Sequence, residues 1–256
     1  MLVITNLSLT IERKEILKNI NIDFSDGGLV TILGPNGSGK STLIKCITGI
    51  YDNWTGEILI DGRSIREFSV IERARIISYV PQFLEVYANY TVWDFLEMSY
   101  YPHLDNLRNL TSIELKRGLE ILEKFELLEL KGRSLSTLSG GERQRVFIAA
   151  SVFQKPKLLL LDEPTSFLDP KIQDDINKII FSLQKEMSVI LVSHDINSSL
   201  INSERIIGLK AGTNFFDGTP KEIINKSHLD QLFDKSFKLI KHPYSDLEII
   251  VPEVFK

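Results

Sequence analysis

Leu29-Val-Thr-Ile-Leu33-Gly34-Pro-Asn-Gly-Ser-Gly39-Lys40-Ser41-Thr42 decides the fold of this 256-residue chain. The short apolar run Leu29–Leu33 predicts a strand buried on both faces, as in parallel sheets. The next eight residues match G-x-x-x-x-G-K-[ST]. Glycines in such a loop let the backbone curl until successive N–H groups point at phosphate oxygens. Lys40–Thr48 reads as a helix, whose N-terminus adds partial positive charge at the same place. Lys40 supplies a point charge for outer phosphates, and the Ser41 hydroxyl can ligate Mg²⁺. An ordinary glycine-rich turn is the plainer reading, but the strand–loop–helix order favours a phosphate site.

A second strand carries acids. Lys157–Leu161 (KLLLL) is another buried-strand candidate, closed by Asp162 and Glu163. Ligands of α/β proteins bind at the carboxyl ends of parallel strands. Asp162 is placed to hold Mg²⁺, directly or through water, and Glu163 to polarise an attacking water. Alone, the pair reads equally well as a solvated turn before Pro164. Beside a phosphate loop the catalytic reading prevails. Val189–Val192 is a further buried strand, and the helical pattern of Pro170–Lys185 lies between the two. That β-α-β order predicts a parallel sheet.

Outward from these, Leu2, Ile4, Leu7 and Leu9 mark a first strand and Asn19–Phe24 a second, followed by a turn at Asp26-Gly27-Gly28. Glu57–Ile60, Ile76–Val80 and, more weakly, Arg205–Leu209 read as further strands. Between Val92 and Leu130 a helical period dominates, with Ile113, Leu119, Leu122, Phe125 and Leu128 along one broad face. Ser139–Phe153 reads as another helix, with Gly140 and Gly141 in its first turn. Its entry, Leu138-Ser-Gly-Gly-Glu142, has two readings. One is an N-cap with Glu142 completing a capping box. The other is a second anion site at a helix N-terminus. On sequence physics alone the cap prevails.

Composition bounds the function. Apolar residues make up 43% and charged residues 25%, values of a globular chain rather than a disordered one. The length allows one large domain or two small ones. A net charge of −4 with no basic stripe argues against nucleic acid as a partner. Cys46 is the single cysteine, so no intramolecular disulfide can form, which suits a reducing compartment. Lying among Leu43, Ile44 and Ile47, it reads as packing. The longest apolar runs, Val146–Phe153 and Val189–Val192, fall well short of the roughly 18 residues of a membrane span. No basic stretch precedes Leu2-Val-Ile4, so no signal peptide is expected. A cytosolic chain that meets the membrane through a partner is the expectation.

Leu138-Ser-Gly-Gly-Glu142 followed by Arg143-Gln-Arg145, lying between the phosphate loop and an LLLLDEP strand, resembles the signature of ABC-type ATPases. The resemblance runs from about Leu2 to Phe233. Tyr79-Val-Pro-Gln82 resembles that family's Q-loop, Ser166-Phe-Leu-Asp169 its D-loop, and Val192-Ser-His194-Asp195 its switch-histidine segment. It implies an α/β fold: a P-loop parallel sheet, an antiparallel β-subdomain, and a helical subdomain at about residues 84–150. The ATPase domain would span 1–235 and a C-terminal extension 236–256.

The resemblance also implies roles. Gly34, Pro35, Asn36, Gly37, Ser38, Gly39, Lys40, Ser41 and Thr42 would hold the phosphates of ATP. Ser41, Gln82 and Asp162 would serve Mg²⁺. Ser139, Gly140 and Gly141 would face the nucleotide of a second copy, and Asp169 would bridge the two sites. Glu163 would be the general base, His194 would touch the γ-phosphate, and Gln82 would also report to a membrane partner. His103, His228 and His242 have no such role. One departure stands out: Ile11 occupies the position of the family's adenine-stacking aromatic and offers no π-face. The aromatics Tyr87, Tyr90 and Trp93 either belong to the core or lie where the family docks its permease.

Asp61–Gln82 and Thr91–Leu104 resemble, more loosely, the iron-siderophore, haem and cobalamin importer ATPases. The implied partners are integral membrane permeases, a second copy of the chain and, indirectly, an extracytoplasmic substrate-binding protein. The implied place is the inner face of the cell membrane. Three alternatives remain open: an importer ATPase for another substrate, a soluble ABC ATPase of an assembly machine such as one for iron–sulfur clusters, and a regulatory subunit without turnover. Intact Glu163 and His194 argue against the last.

Overall fold

The computed structural model describes residues 1–24, 27–82, 89–104, 109–225, 227–241 and 248–253. Asp26 of the expected turn, the first residues of the expected helical subdomain including Tyr87, and His242 lie outside the described residues. The chain divides into two units, Met1–Ile65 with Ile190–Lys256, and Arg66–Val189.

In the first unit β1 (Leu2–Ile11) and β2 (Lys14–Asp23) form a hairpin. Its turn residues Glu12 and Arg13 take φ of 47° and 66°, the left-handed pair that matches strand twist in a two-residue connection. β2 starts earlier than the apolar alternation predicts. The pairing carries register shifts, and Asn19 sits at φ 51°, so Leu17 and Ile20 are both buried despite odd spacing. β3 (Leu29–Leu33) is buried at all five residues, as expected, and leads through the glycine loop into α1 (Lys40–Thr48). β4 (Thr55–Ile60) and β5 (Arg63–Ser64) return to β1, giving the antiparallel sheet β2-β1-β4-β5.

The second unit holds α2 (Val70–Ala74), β6 (Ile77–Val80), α3 (Val92–Ser99), α4 (Ser112–Lys124), α5 (Gly140–Phe153), β7 (Leu158–Asp162) and α6 (Pro170–Leu183). β6 and β7 run parallel, from Ile77 beside Leu158 to Val80 beside Leu161. α2, α3, α4 and α5 each open on a capping box, headed by Ser69, Thr91, Thr111 and Ser139. These boxes fix where each helix begins by satisfying two orphan N–H groups apiece.

The face expected on α4 is a correction. Ile113 is 79% exposed, and Leu119 and Leu128 are also exposed. The buried stripe is Gly118, Ile121, Leu122 and Phe125, the i, i+3, i+4, i+7 set of a 3.6-residue helix. Gly118 lies under the indole of Trp93, where a β-carbon would fall 2.9 Å from the ring. Across the same core Phe95 meets Phe147 edge-on with centroids 4.7 Å apart. The Arg117 guanidinium donates to the carbonyls of Val152 and Phe153 at 2.8 Å each, closing the end of α5. Gln154 gathers the strand side: its amide donates to the carbonyls of Ala74 and Ile77, and its Oε1 accepts from Ser78 Oγ.

In β8 (Ser188–Val192) the chain passes from the second unit to the first. The first unit is completed by α7 (Ile196–Asn202), β9 (Arg205–Lys210), β10 (Thr213–Gly218), α8 (Pro220–Asn225), α9 (His228–Phe233), β11 (Phe237–Lys241) and β12 (Glu248–Pro252). β9 runs parallel to β3, β10 pairs antiparallel with β9, and β11 pairs with β12. One core gathers Leu33, Ile206, Phe216, Ile223, Leu229, Leu232 and Ile250, with Ile196, Leu200 and Phe237 packed against it. The fold is therefore α/β, with parallel strands, an antiparallel β-sheet and a helix-rich region, as the sequence predicts. Among the described residues no helix is long and apolar enough to cross a membrane.

The corrected stripe is measurable. Leu122→Ala should cost about 2–5 kcal/mol, the usual cost of a buried leucine deletion. Ile113→Ala should stay within about 0.5 kcal/mol. Urea denaturation of both variants checks the ordering.

Candidate nucleotide site

The residues singled out in the sequence fall into two groups, one in each unit. In the first, β3 delivers the chain to a loop with no room for side chains at its base. A β-carbon on Gly34 would lie 2.1 Å from the carbonyl oxygen of Leu209. One on Gly39 would lie 2.8 Å from Leu17 Cδ2 and 3.3 Å from the carbonyl oxygen of Ile16. Gly37 is different: its φ of 77° favours glycine, and nothing among the described residues lies within 4 Å of its β-carbon position. Asn36 and Gly37 are exposed at the loop's tip, whereas Ser38, Gly39 and Lys40 are buried. The Gly212 amide donates to Ser38 O at 3.1 Å, fastening the loop from the side.

α1 starts at Lys40 with Gly39 as N-cap and no side-chain cap, so its first N–H groups are left for another acceptor. Lys40 Nζ donates to the carbonyls of Gly34 and Pro35 at 2.9 and 3.1 Å, holding the ammonium over the loop. Ser38 Oγ is buried with no hydrogen-bond partner among the described residues, consistent with donor capacity kept for a ligand. Ser193 N donates to Ile32 O at 3.3 Å, so His194, exposed, follows a strand end beside β3. Ile11, half-buried, ends β1 opposite Lys14. Cys46 is fully buried in α1, and burial pushes its thiol up to about 12.

In the second unit β7 is buried throughout and ends at Asp162. Tyr79, on the adjacent strand β6, donates its hydroxyl to Asp162 Oδ2 at 3.4 Å. Burial first, then the charge of Asp162, push this phenol far above its ordinary range, so it stays a donor. Glu163 takes φ 49°, turning the chain sharply where the strand ends. Its Oε2 accepts from Gln82 Nε2 at 2.7 Å and from Ser166 Oγ at 2.9 Å. Gln82 and Glu163, both expected, are thus brought together. Tyr79 and Ser166 are contacts that sequence reasoning missed. The signals were the parallel pairing of two strands and the i, i+3 spacing in a tight turn.

Of the two readings of Leu138–Glu142, the helix cap is the one the geometry displays. The capping box is formed: Ser139 Oγ accepts from Glu142 N, and Glu142 Oε2 accepts from Ser139 N at 2.8 Å. The hydrogen bonds to Ser139 hold the Glu142 carboxyl below the usual range. A β-carbon on Gly141 would meet Ile172 Cγ2 at 2.6 Å, so packing of α5 against α6 requires this glycine. A β-carbon on Gly140 would make only an ordinary contact with Leu168 at 3.6 Å, so nothing among the described residues demands glycine there. Asp169 caps α6, accepting from Ile172 N at 3.2 Å with Pro170 at the first helical position.

A glycine loop between a buried strand and a helix, with a lysine folded over it, and an acid pair closing a second parallel strand define a P-loop nucleoside triphosphatase. The sequence model described as ABC transporter matches residues 17–166, more than half of the chain. The chain belongs to the ABC transporter family and is one of its ATPases. It is 33% identical to an iron(3+)-hydroxamate import ATP-binding protein of Bacillus subtilis, over 89% of this chain and 86% of the relative. It superposes on a metal-chelate type ABC transporter in an inward-facing conformation with TM-score 0.84 and 28% identity, covering 99% and 97% of the two chains. It also matches a dimeric bacterial ABC transporter cassette with TM-score 0.74 and 32% identity, covering 86% and 99%.

Two outcomes follow from the packing. Gly141→Ala should cost about 1–3 kcal/mol through overpacking against Ile172, while Gly140→Ala should leave stability unchanged, both read from denaturant midpoints. Cys46 should resist alkylation at pH 8.5 until the protein is unfolded, read by mass spectrometry of the iodoacetamide-treated chain. Rapid labelling of the native protein would contradict its burial.

Proposed function

We propose that the chain is the ATP-binding subunit of an importer and hydrolyses ATP to drive uptake of an iron chelate, haem or cobalamin. The observation that carries the catalytic half is the carboxylate of Glu163, held by Gln82 and Ser166 at the end of a buried strand. The substrate class is supported by the similarity to the iron(3+)-hydroxamate import protein and to the metal-chelate type transporter. The similarity of Asp61–Gln82 and Thr91–Leu104 to such ATPases points the same way. The subunit works as a pair of copies on the inner face of the cell membrane, bound to integral membrane permeases. A substrate-binding protein outside delivers the cargo. The dimeric cassette it matches supports the pairing.

In this reading Gly34–Thr42 cradle the phosphates by backbone N–H groups, and Lys40 turns from the loop carbonyls to the outer phosphates. Glu163 accepts the proton of the attacking water, while Gln82 and Ser166 fix its direction. His194 donates to the γ-phosphate as charge builds there. Ser139, Gly140 and Gly141 complete the site of the opposite copy, and Asp169 connects the two. Among the described residues no three His, Cys, Asp or Glu side chains gather, but Mg²⁺ carried by a nucleotide needs only one or two protein oxygens. Ser41, Gln82 and Asp162 offer such hard oxygen donors, and the bound ion would neutralise charge on the outer phosphates.

Glu163→Gln should keep ATP binding and lower turnover by roughly 10²–10⁴-fold, the usual worth of a positioned base. With ATP and Mg²⁺ it should accumulate as a dimer in light scattering. Turnover near the wild-type rate rejects the base assignment. Affinity purification of the native protein from detergent-solubilised cells should bring down an integral membrane permease. Recovery with soluble proteins alone points instead to an assembly machine.

A further inference from the structure

The helix that follows His194 is held at two points, its cap Asp195 and, outside every motif, Asn197. Asp195 caps α7, its carboxylate accepting from Ser198 N at 3.0 Å and its own amide donating to Ser193 Oγ at 3.0 Å. Ser193 is bonded to Ile32 of β3 on the other side. His194 therefore lies between a strand end and a helix cap, and its position follows that of α7.

α7 is anchored through Asn197. Asn197 Nδ2 donates to the carbonyl of Ile250 at 3.0 Å, and Asn197 Oδ1 accepts from the Ile250 amide at 2.8 Å. These two bonds copy one rung of an antiparallel ladder, in which a residue gives and takes one bond each way. A carboxamide presents a neutral donor and acceptor side by side; a carboxylate keeps only the acceptor. Ile250 belongs to β12, which pairs along its length with β11. Its side chain is buried in the core that contains Leu33, the residue before Gly34, and Ile196 and Leu200 of α7 pack on that core. One strand residue thus holds α7 by its backbone and shares, through its side chain, the core on which α7 packs.

We infer that Asn197 is a positioning residue for His194, with the β11–β12 hairpin as its anchor. Hydrolysis depends on this clasp, whereas nucleotide binding, made by the phosphate loop, does not. The inference rests on the role given to His194 above. A group acting on the transferred phosphate must be placed in advance, and a misplacement of about 1 Å can cost 10²-fold in rate.

The test uses the full chain and separates kcat from ATP affinity. Asn197→Leu has similar volume and removes both bonds. Asn197→Asp keeps the acceptor and loses the donor, and it decides the same comparison if the leucine variant does not fold. Each is measured alone and in a His194→Ala background. The expected result is a fall in kcat of roughly tenfold or more, with the Kd for ATP within about twofold of wild type. In the His194→Ala background neither substitution should lower kcat further, because both act through one imidazole. Asn197→Gln, with the same amide on a longer stem, should recover part of the rate. A folded Asn197→Leu or Asn197→Asp variant with wild-type kcat, or one whose loss persists undiminished in His194→Ala, overturns the clasp. A His194→Ala variant with wild-type kcat instead overturns the role of His194 itself.

Discussion

The carbonyl oxygen of Leu209 lies where a β-carbon on Gly34 would have to be. Everything the phosphate loop can do depends on that close approach of two backbones. β9 lies parallel to β3 and its carbonyl backs the start of the loop. The turn after β9 bonds to Ser38 and Lys18, and Ile16 and Leu17 crowd Gly39 and Gly212. The loop is walled by main chain, which cannot change rotamer. The path of the loop is consequently set before any phosphate arrives, the condition under which fixed dipoles act without reorganising. Glycine weakens regular structure by roughly 0.5–1 kcal/mol per residue relative to alanine. Here that cost is offset by a cradle that side chains could not form.

The acidic strand end in the second unit achieves order by another route. β7 brings Asp162 and Glu163 to the surface of a buried sheet, where a carboxylate without partners would be costly. Tyr79 donates to the first, Gln82 and Ser166 to the second. All three donors are neutral. They orient the carboxylates without bringing opposite charge of their own, which suits a metal ligand and a base alike. The abrupt backbone at Glu163 is part of the same arrangement, since strain of this kind persists only where neighbours hold it.

How much of this was legible depended on range. The phosphate loop was readable because its chemistry is written in eight consecutive residues. The capping box of Ser139 and Glu142 was readable from its i, i+3 pair, and β3, β7 and β8 from their uniform apolarity. Gly141 was not: the reason for glycine is Ile172, on a different helix. The stripe on α4 was misassigned because Ile113 and Leu119 are apolar residues at the wrong phase, and apolarity without the 3.6-residue spacing does not define a face. β2 was shortened in the reading because a bulge breaks its alternation. Asn197 carried no signal at all, since its partner is a main-chain amide and carbonyl that any residue at position 250 would offer.

The first unit is discontinuous in the chain, and synthesis on the ribosome meets that fact directly. Thr31 in β3 shares a 2.6 Å hydrogen bond with Ser203, 172 positions further on. Leu33 shares its core with Ile206, Phe216 and Ile250. When residues 66–189 have emerged, the capping boxes of the second unit's helices are complete, while β3 still lacks β9 and the wall behind Gly34. At about 5–20 residues per second, the 172 positions from Thr31 to Ser203 take roughly 9–34 seconds, and for that time the apolar strand lacks its partner β9. Closing so long a loop slows folding more than it lowers final stability. The interval in which β3 is exposed is therefore the stage at which this protein is most open to chaperones, to misassembly with neighbouring chains and to proteases.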